Sequence, residues 1–435
     1  MKMPQLTKLM EMIEDHDVKF IRLVFCDIFG IPKNIAIMAD RLPQAVEKGI
    51  SFDASAISGF SNVEESDLFL FPDLSTFALL PWRPSEGCVA RLFCHIRYPD
   101  GRPFEGDGRH LLQAAQEKAQ ADGYGFLVGP ECEFYLFETD EKGAPTLTPF
   151  DKAGYLDVAP MDKGENVRRD ICLTLEEMGV HPERSHHEHG PGQNEIDIRC
   201  ASPMRAVDDF ITLHTVVKAV SEQNGLFASF LPKPLPDESG NGLHINLSLL
   251  KSGENLFAKF DTDADARAFL AGILRRIVEI TVFANPLPGS YLRFGKCEAP
   301  CVVNWSKQNR STLVRVPAAT GSDARMELRS PDPSCNLYLL TALLLHAGME
   351  GVAEGLTLSE AFDGNVYVND VAGFEALPDS LQSAVELAKN SAFLKRVLPE
   401  KLLCNYLRDK EREAADFTAS KDPHAYEMAR YFERI

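Results

Sequence analysis

Gly129-Pro-Glu-Cys-Glu-Phe-Tyr-Leu-Phe137 reads as a β-strand: it has the length and the apolar content of one, with two carboxylates placed two residues apart. Alternate side chains of a strand share a face, so Glu131 and Glu133 point the same way, about 7 Å apart along the chain. Cys132, Phe134 and Leu136 point the other way, into a core. Two neighbouring carboxylates repel, and a folded protein tolerates them best with a cation over them or with one kept protonated. An acidic strand exposed to solvent is the competing reading of this segment.

Outward from that strand, three more segments repeat the pattern. Ser185 to Asp197 holds His186, His187, Glu188, His189 and Glu195, Ser239 to Leu249 holds His244, and Arg325-Met-Glu-Leu-Arg329 holds Glu327. Each sets ionisable groups at period two against apolar neighbours, which predicts one sheet with a polar, metal-bearing concave face. Glu131, Glu133, Glu188, Glu195 and Glu327 supply carboxylates and His244 an imidazole, whereas His187 and His189 read as structural histidines. Mostly oxygen ligands with a single nitrogen suit Mg²⁺ or Mn²⁺ better than zinc or copper.

Five carboxylates against two divalent ions leave about one negative charge, so an anionic substrate needs added positive charge. Arg293 to Arg329 provides it: seven basic residues (Arg293, Lys296, Lys307, Arg310, Arg315, Arg325, Arg329) stand against three acidic ones (Glu298, Asp323, Glu327). Arginine forks bind carboxylate and phosphate bidentately, and arginines with metals and an anionic substrate describe phosphoryl transfer.

The remaining chain bounds this reading. A length of 435 residues predicts two domains, with the polar, glycine-rich stretch Pro99 to Gly108 between them: 1–103 and 104–435. Helices are expected at 5–15, 42–47, 109–121, 167–178 and 205–224 and through most of the chain after Asn336, and strands at 18–26 and within 68–82 and 88–98. Phe52 to Phe60 reads as a loop. A net charge of −19 argues against nucleic acid and against an anionic membrane surface. Ten scattered cysteines without a Cys-x-x-Cys pair predict reduced thiols and a cytoplasmic location, and the N-terminal segment has no signal-peptide character.

With these segments in hand, the chain resembles the glutamine synthetase family, bacterial type. The likeness is carried by Phe52-Asp53, Glu65-Ser-Asp67, Gly129-Pro-Glu-Cys-Glu-Phe134, His186-His-Glu188, Gly192-Gln-Asn-Glu195, Asn285-Pro286, Ser290-Tyr-Leu-Arg293, Glu298-Ala-Pro300, Asn309-Arg-Ser311, and Arg329 with Pro331-Asp-Pro333. The resemblance implies an α+β fold: an N-terminal β-grasp domain, then a catalytic domain with a curved antiparallel sheet flanked by helices. It implies a homo-oligomer, a dodecamer of two hexameric rings with active sites between subunits.

Carried over, Glu133, Glu188 and Glu195 resemble the ligands of one metal, and Glu131, His244 and Glu327 those of the other. Arg293, Arg310 and Arg329 match the clamp on substrate carboxylate and phosphate, and Gly240, Tyr155 and Asp67 match further substrate positions. Glu183, Ser248, Arg315 and Arg325 match nucleotide positions. Asp53, from a neighbouring subunit, resembles the base that deprotonates ammonium, and Glu298 the flap residue. The implied reaction transfers the ATP γ-phosphoryl group to glutamate, and ammonia then attacks the acyl phosphate.

Three departures bear on the amine. Asp53-Ala-Ser-Ala56 stands where the family has Asp-Gly-Ser-Ser, Ser239 where it has asparagine, and Gly295-Lys-Cys-Glu298 is a shortened flap with Cys297 in place of tyrosine. Methylamine or a larger amine is therefore the alternative acceptor, and a non-catalytic relative the third reading. Tyr367 sits where some relatives carry an adenylylated tyrosine, but the downstream half of that motif is absent.

Overall fold

Asp27 shapes the first turn of the chain. Its Oδ1 accepts the backbone N–H groups of Phe29 and Ile31, each at 3.0 Å, folding β1 (Val18–Cys26) back onto β2 (Pro32–Met38). In this computed structural model residues 2–60, 63–84 and 86–435 are described; the side chains of Lys2, Met3 and Glu65 lie outside that set, and with Glu65 one residue of the Glu65-Ser66-Asp67 motif. The first sheet continues with β3 (Ile50–Asp53), β4 (Asp67–Pro72), β5 (Ala78–Leu79) and β6 (Cys88–Arg97). Its order is β2-β1-β6-β4-β3 with β5 also on β6. β1 runs parallel to β6 and every other pair is antiparallel. Leu9 and Ile13 of α1 (Lys2–Asp15) and Leu42 and Ala45 of α2 (Leu42–Lys48) are buried in the same core as Ile21, Leu23, Leu70 and Leu92 of the sheet. This is the β-grasp arrangement expected.

The second sheet is organised on β7 (Tyr124–Thr139), sixteen residues long. A strand of that length changes partners along its course, and β7 pairs with β8 (Pro145–Pro149), β10 (Gln193–Ile198), β11 (Leu226–Ser229) and β12 (Leu243–Lys251). The main path is β14-β15-β16-β12-β7-β10-β9, with β9 at Pro182–His187, β14 at Trp305–Lys307, β15 at Val314–Val316 and β16 at Met326–Leu328. A short β13 (Glu254–Asn255) adds to β12. All pairs are antiparallel except β14 with β15. The segment expected as one strand from Ser185 to Asp197 is a hairpin, because Gly190-Pro191-Gly192 reverses the chain and Gly192 takes a left-handed φ of 69°.

Helices α3 (Gly108–Ala121), α4 (Glu165–Glu177), α5 (Pro203–Gln223), α6 (Ala264–Ala284) and α7 (Leu337–Glu354) follow. The back of β7 packs against them: Phe126 lies 5.8 Å from Phe269 of α6, and the Cys132 thiol lies 3.8 Å from His214 of α5. α6 and α7 cross at a glycine contact, where a Cβ on Gly272 would lie 2.2 Å from the Ala347 carbonyl oxygen and one on Gly351 2.1 Å from that of Ala268. Four C-terminal helices close the chain: α8 (Leu381–Asn390), α9 (Ala392–Val397), α10 (Glu400–Ala419) and α11 (Pro423–Tyr431). No described helix is long and apolar enough to cross a membrane, and the ten cysteines are free.

Two stability outcomes follow from this packing. Gly351→Ala should cost about 2 kcal/mol or more in urea unfolding, because two backbones would have to separate for one methyl group. Glu427 of α11 is buried, and its carboxylate accepts the Gly289 N–H. Burial, with Asp332 adding to it and the Gly289 N–H opposing, pushes its carboxyl from 4.5 up to about 7. The folded protein then binds a proton more tightly than the unfolded chain, so stability falls as pH rises through that interval. Glu427→Gln keeps the acceptor and should remove about 2 kcal/mol of that slope in unfolding measured at pH 5 and pH 8.

Candidate functional site

Strand register, more than any single segment, assembles the site. Glu195 stands opposite Glu133 on one side and His186 on the other, and Asp197 opposite Glu131 and Arg184. His244 stands opposite Glu131, and Glu327 opposite Asn246 and Arg315. Because pairing partners share a face, five strands turn ionisable side chains into one cleft of about 600 Å³, with Glu327 of β16 buried beside it. Arg293, Lys296, Cys297, Glu298, Arg310, Arg315, Arg325 and Arg329 line the same cleft, with Arg315 on the sheet face itself, opposite Glu327. An acidic floor is thus interleaved and bordered with arginines.

Within the floor, four overlapping groups could each hold a cation, one of them Glu131, Glu195 and Asp197. Oxygen or nitrogen atoms of Glu131, His244 and Glu327 lie within 4.8 Å of one another, and so do those of Glu133, Glu195 and His244 and those of His186, Glu188 and Glu195. His244 Nδ1 is 3.4 Å from Glu131 and 3.7 Å from Glu327. Glu188 follows β9, where His186 Nε2 donates to its carboxylate at 2.8 Å and His189 Nδ1 at 3.0 Å. The donors are mainly carboxylate oxygen, which fits Mg²⁺ or Mn²⁺.

Electrostatically the floor divides in two. Burial, then Asp197, Glu133, Glu131 and Glu188, pushes the Glu195 carboxyl well above the usual range, and burial with the Glu188 charge raises Glu133. Asp197 rises to about 6 through burial and Glu131, and its buried Oδ1 has no hydrogen-bond partner. Burial would also raise Glu327, but Arg329 and His244 outweigh it, and Arg315 Nε donates to the same carboxylate at 2.6 Å. Glu131 is lowered too, its burial outweighed by His244 and by Asn246, which donates at 2.9 Å. Positive charge is therefore needed most beside Glu133, Glu195 and Asp197.

A second layer fixes the ligands. Gln193 Nε2 and the Gly242 N–H both donate to Glu133, at 3.0 and 2.8 Å. His187 is fully buried: Nε2 meets Asp151 at 2.8 Å and Nδ1 the Glu188 carbonyl at 2.7 Å. Both partners are acceptors, and burial, which would lower the His187 pKa, is outweighed by the Asp151 and Glu188 hydrogen bonds, which raise it. His189 likewise serves Glu188 and stacks on Tyr155, 4.6 Å between ring centres. Arg329 links two carboxylates, with Nη1 on Glu327 and Nη2 3.5 Å from Glu298.

Four expected residues lie elsewhere. Asp53 and Asp67 stand opposite each other on β3 and β4 of the first sheet and line no part of this chain's cleft. Glu183 is out of phase on β9, where Arg184 and His186 face the cleft instead. Ser248 lies further along β12 and donates to the Ala324 carbonyl at 2.9 Å. Sequence reading passed over Gln193, Asp197, Arg184, His186 and Asn246 as site residues, although Gln193, Glu195 and Asp197 share one strand face by simple alternation.

Comparison with known proteins follows the same outline. A family model described as "Glutamine synthetase, beta-Grasp domain" matches residues 17–99, and "Glutamine synthetase, catalytic domain" matches residues 105–431. The glutamine synthetase of Clostridium saccharobutylicum is 43% identical, covering 98% of this chain and 98% of its own. That of Methanosarcina mazei is 43% identical over 98% and 97%. Among solved structures, a GmaS/ADP complex has a TM-score of 0.87 at 27% identity, covering 97% of this chain and 99% of that one. The Plasmodium falciparum glutamine synthetase has 0.84 at 22% identity over 98% of each, a likeness of fold.

Glu195→Gln should separate the two tasks of the floor. Removing one of the facing carboxylates should stabilise the metal-free protein by about 1 kcal/mol while weakening Mn²⁺ binding at least about tenfold. Thermal melts with and without Mn²⁺, and calorimetric titration of the ion, check both halves.

Proposed function

The chain belongs to the glutamine synthetase family, and on that premise we propose that it is an ATP-dependent carbon–nitrogen ligase forming L-glutamine from L-glutamate and ammonia. The single observation that carries this reading is the gathering of carboxylates and arginines along one cleft. Such a cleft brings together two anions that repel in water, a nucleoside triphosphate and a carboxylate.

In this reading Glu133, Glu188 and Glu195 hold one divalent ion and Glu131, His244 and Glu327 the other. Bound Mg²⁺ or Mn²⁺ would neutralise the floor and draw charge from the transferring phosphoryl group. Arg315 and Arg325, with Glu183 and Ser248 further off, serve the nucleotide; Arg293, Gly240, Tyr155 and Asp67 serve the amino acid. A side chain on Gly240 would collide with Arg293, its Cβ falling 2.6 Å from Cγ, so glycine there leaves the arginine its place. Arg310 and Arg329 steady the phosphoryl group as the glutamate γ-carboxylate oxygen attacks the γ-phosphorus and ADP leaves. Asp53 takes a proton from ammonium, the ammonia nitrogen attacks the acyl carbon, and phosphate departs carrying the proton that the adduct sheds. Glu298 at the rim keeps water from the acyl phosphate.

Since Asp53 and Asp67 lie outside their own chain's cleft, they serve a neighbouring subunit's, which requires a homo-oligomer; two hexameric rings are the assembly we propose. The domains divide at 103/104, and the location is cytoplasmic.

A second reading keeps the fold and changes the amine. Ala54 and Ala56 flank Ser55, whose hydroxyl and N–H are both turned onto Asp53, at 2.6 and 2.9 Å. Fewer polar groups remain there for a small cation, which favours methylamine or a larger amine.

ADP release with ATP, Mn²⁺ or Mg²⁺ and glutamate, comparing ammonium with methylamine, ethylamine and hydroxylamine, decides the acceptor. We expect the highest kcat/KM with ammonium; preference for an alkylamine would establish the second reading. Glu327→Ala should abolish turnover, and near-normal ADP release by that variant would overturn the metal assignment.

A further inference from the structure

We infer that Asn405 and Asp409 of α10 are positioning residues for the amine half-reaction, acting through the loop that carries Asp53; this rests on the reading of Asp53 as the base. Asp53 ends β3, and the chain leaves the sheet there to return at Asp67. The base of this excursion is closed by the Ala54 N–H donating to the Ser66 carbonyl at 2.8 Å, and the serine at 55 holds the Asp53 carboxylate. Among its described residues the segment makes two local backbone bonds, Ile57 N to Ala54 O and Phe60 N to Ile57 O, both 3.1 Å.

What holds its far side comes from some 350 residues further along the chain. Asn405 Nδ2 donates to the Gly59 carbonyl at 3.1 Å, and Ser58 Oγ donates to Asp409 Oδ2 at 2.8 Å. Residues 405 and 409 lie one helical turn apart, so one face of α10 meets two consecutive residues of the loop. Beside them, Tyr406 lies 5.4 Å from Phe29 and Lys410 places its ammonium 4.9 Å from the same ring. Gly59 has a φ of +80°, and a Cβ there would fall 2.1 Å from Ile28 Cδ1, so the loop is seated between the first sheet and the helix with no room to shift inward.

The helix is itself well fixed. The Tyr406 hydroxyl donates to the Val282 carbonyl at 3.1 Å and its ring stacks on Phe283 at 4.5 Å, near the end of α6, beyond which the chain reaches Arg293. The loop is therefore referenced to the same rigid body that holds the amino-acid clamp. Asp409 is buried, yet it accepts from the hydroxyl of an exposed serine whose loss opens no core. A base that must reach a neighbouring subunit's reacting centre needs its backbone held closely, because a displacement of about 1 Å can cost as much as a hundredfold in rate.

The test is steady-state kinetics on the assembled enzyme with Ser58→Ala, Asn405→Ala, Asp409→Ala and Asp409→Asn, and with Asp53→Asn as reference. We expect Ser58→Ala and Asp409→Ala to raise the KM for the amine about five- to tenfold while those for ATP and glutamate stay within about twofold, and Asp409→Asn, which keeps an acceptor, to restore it. An unchanged amine KM in Ser58→Ala, alongside a damaged Asp53→Asn, overturns the inference alone; so does a rise of all three KM values together with a loss of thermal stability. An unchanged amine dependence in Asp53→Asn overturns the base reading and the inference with it. Should Asp409→Ala fail to fold, Ser58→Ala decides, since that serine is exposed.

Discussion

Repulsion among carboxylates held together on one buried sheet face is the constraint on which the rest of the structure depends. Glu131, Glu133, Glu188, Glu195 and Asp197 line one cleft with Glu327 buried beside them, and in a medium of low polarisability their mutual repulsion is severe. The protein offsets it unevenly. Glu327 is flanked by Arg315 and Arg329, Glu131 by His244 and Asn246, and Glu188 by two imidazoles. Glu133, Glu195 and Asp197 keep the least compensation, and that is where a divalent cation gains most.

Holding such a face in place explains much of the second domain. A sixteen-residue strand with four partner strands is stiff, and its apolar side is buried against α5 and α6. Arg168 shows how deep the support goes: it bonds Asp162, whose neighbour Lys163 donates its N–H to Asp151, which in turn holds His187 and the turn carrying Glu188. These are buried charges with their hydrogen bonds largely made, the condition under which buried polar networks specify geometry instead of weakening a fold. Arg329 extends the frame upward by touching Glu327 in the floor and Glu298 at the rim, so flap and floor share one residue.

The C-terminal helices brace both ends of the machinery. Glu427 fixes the segment ahead of Arg293 through Gly289, and α10 reaches the first sheet through Asn405, Tyr406, Asp409 and Lys410. Between the two sheets, Arg109 of α3 is shared by Asp208 of the second domain and Asp73 of the first, with His95 on its third nitrogen. The two domains are thus joined by buried ionic contacts, a joint that fixes orientation more than it adds stability.

Alternation is a local property, two residues long, and so the sequence alone determined which side chains of each strand share a face: Glu131 with Glu133, His244 with Asn246, Glu327 with its arginines. It also pointed to the family, since the motifs keep their order. Register is a long-range property, and only the tertiary structure decided that Asp197 meets Glu131 while Glu183 faces away, that Ser185 to Asp197 is a hairpin, and that Asp53 lies outside its own chain's cleft. The contacts of Asp151 with His187, Glu427 with Gly289, and α10 with the Asp53 loop join residues from tens to hundreds of positions apart. No periodicity records such pairs, because nothing in a strand or helix pattern says which distant element will be folded against it.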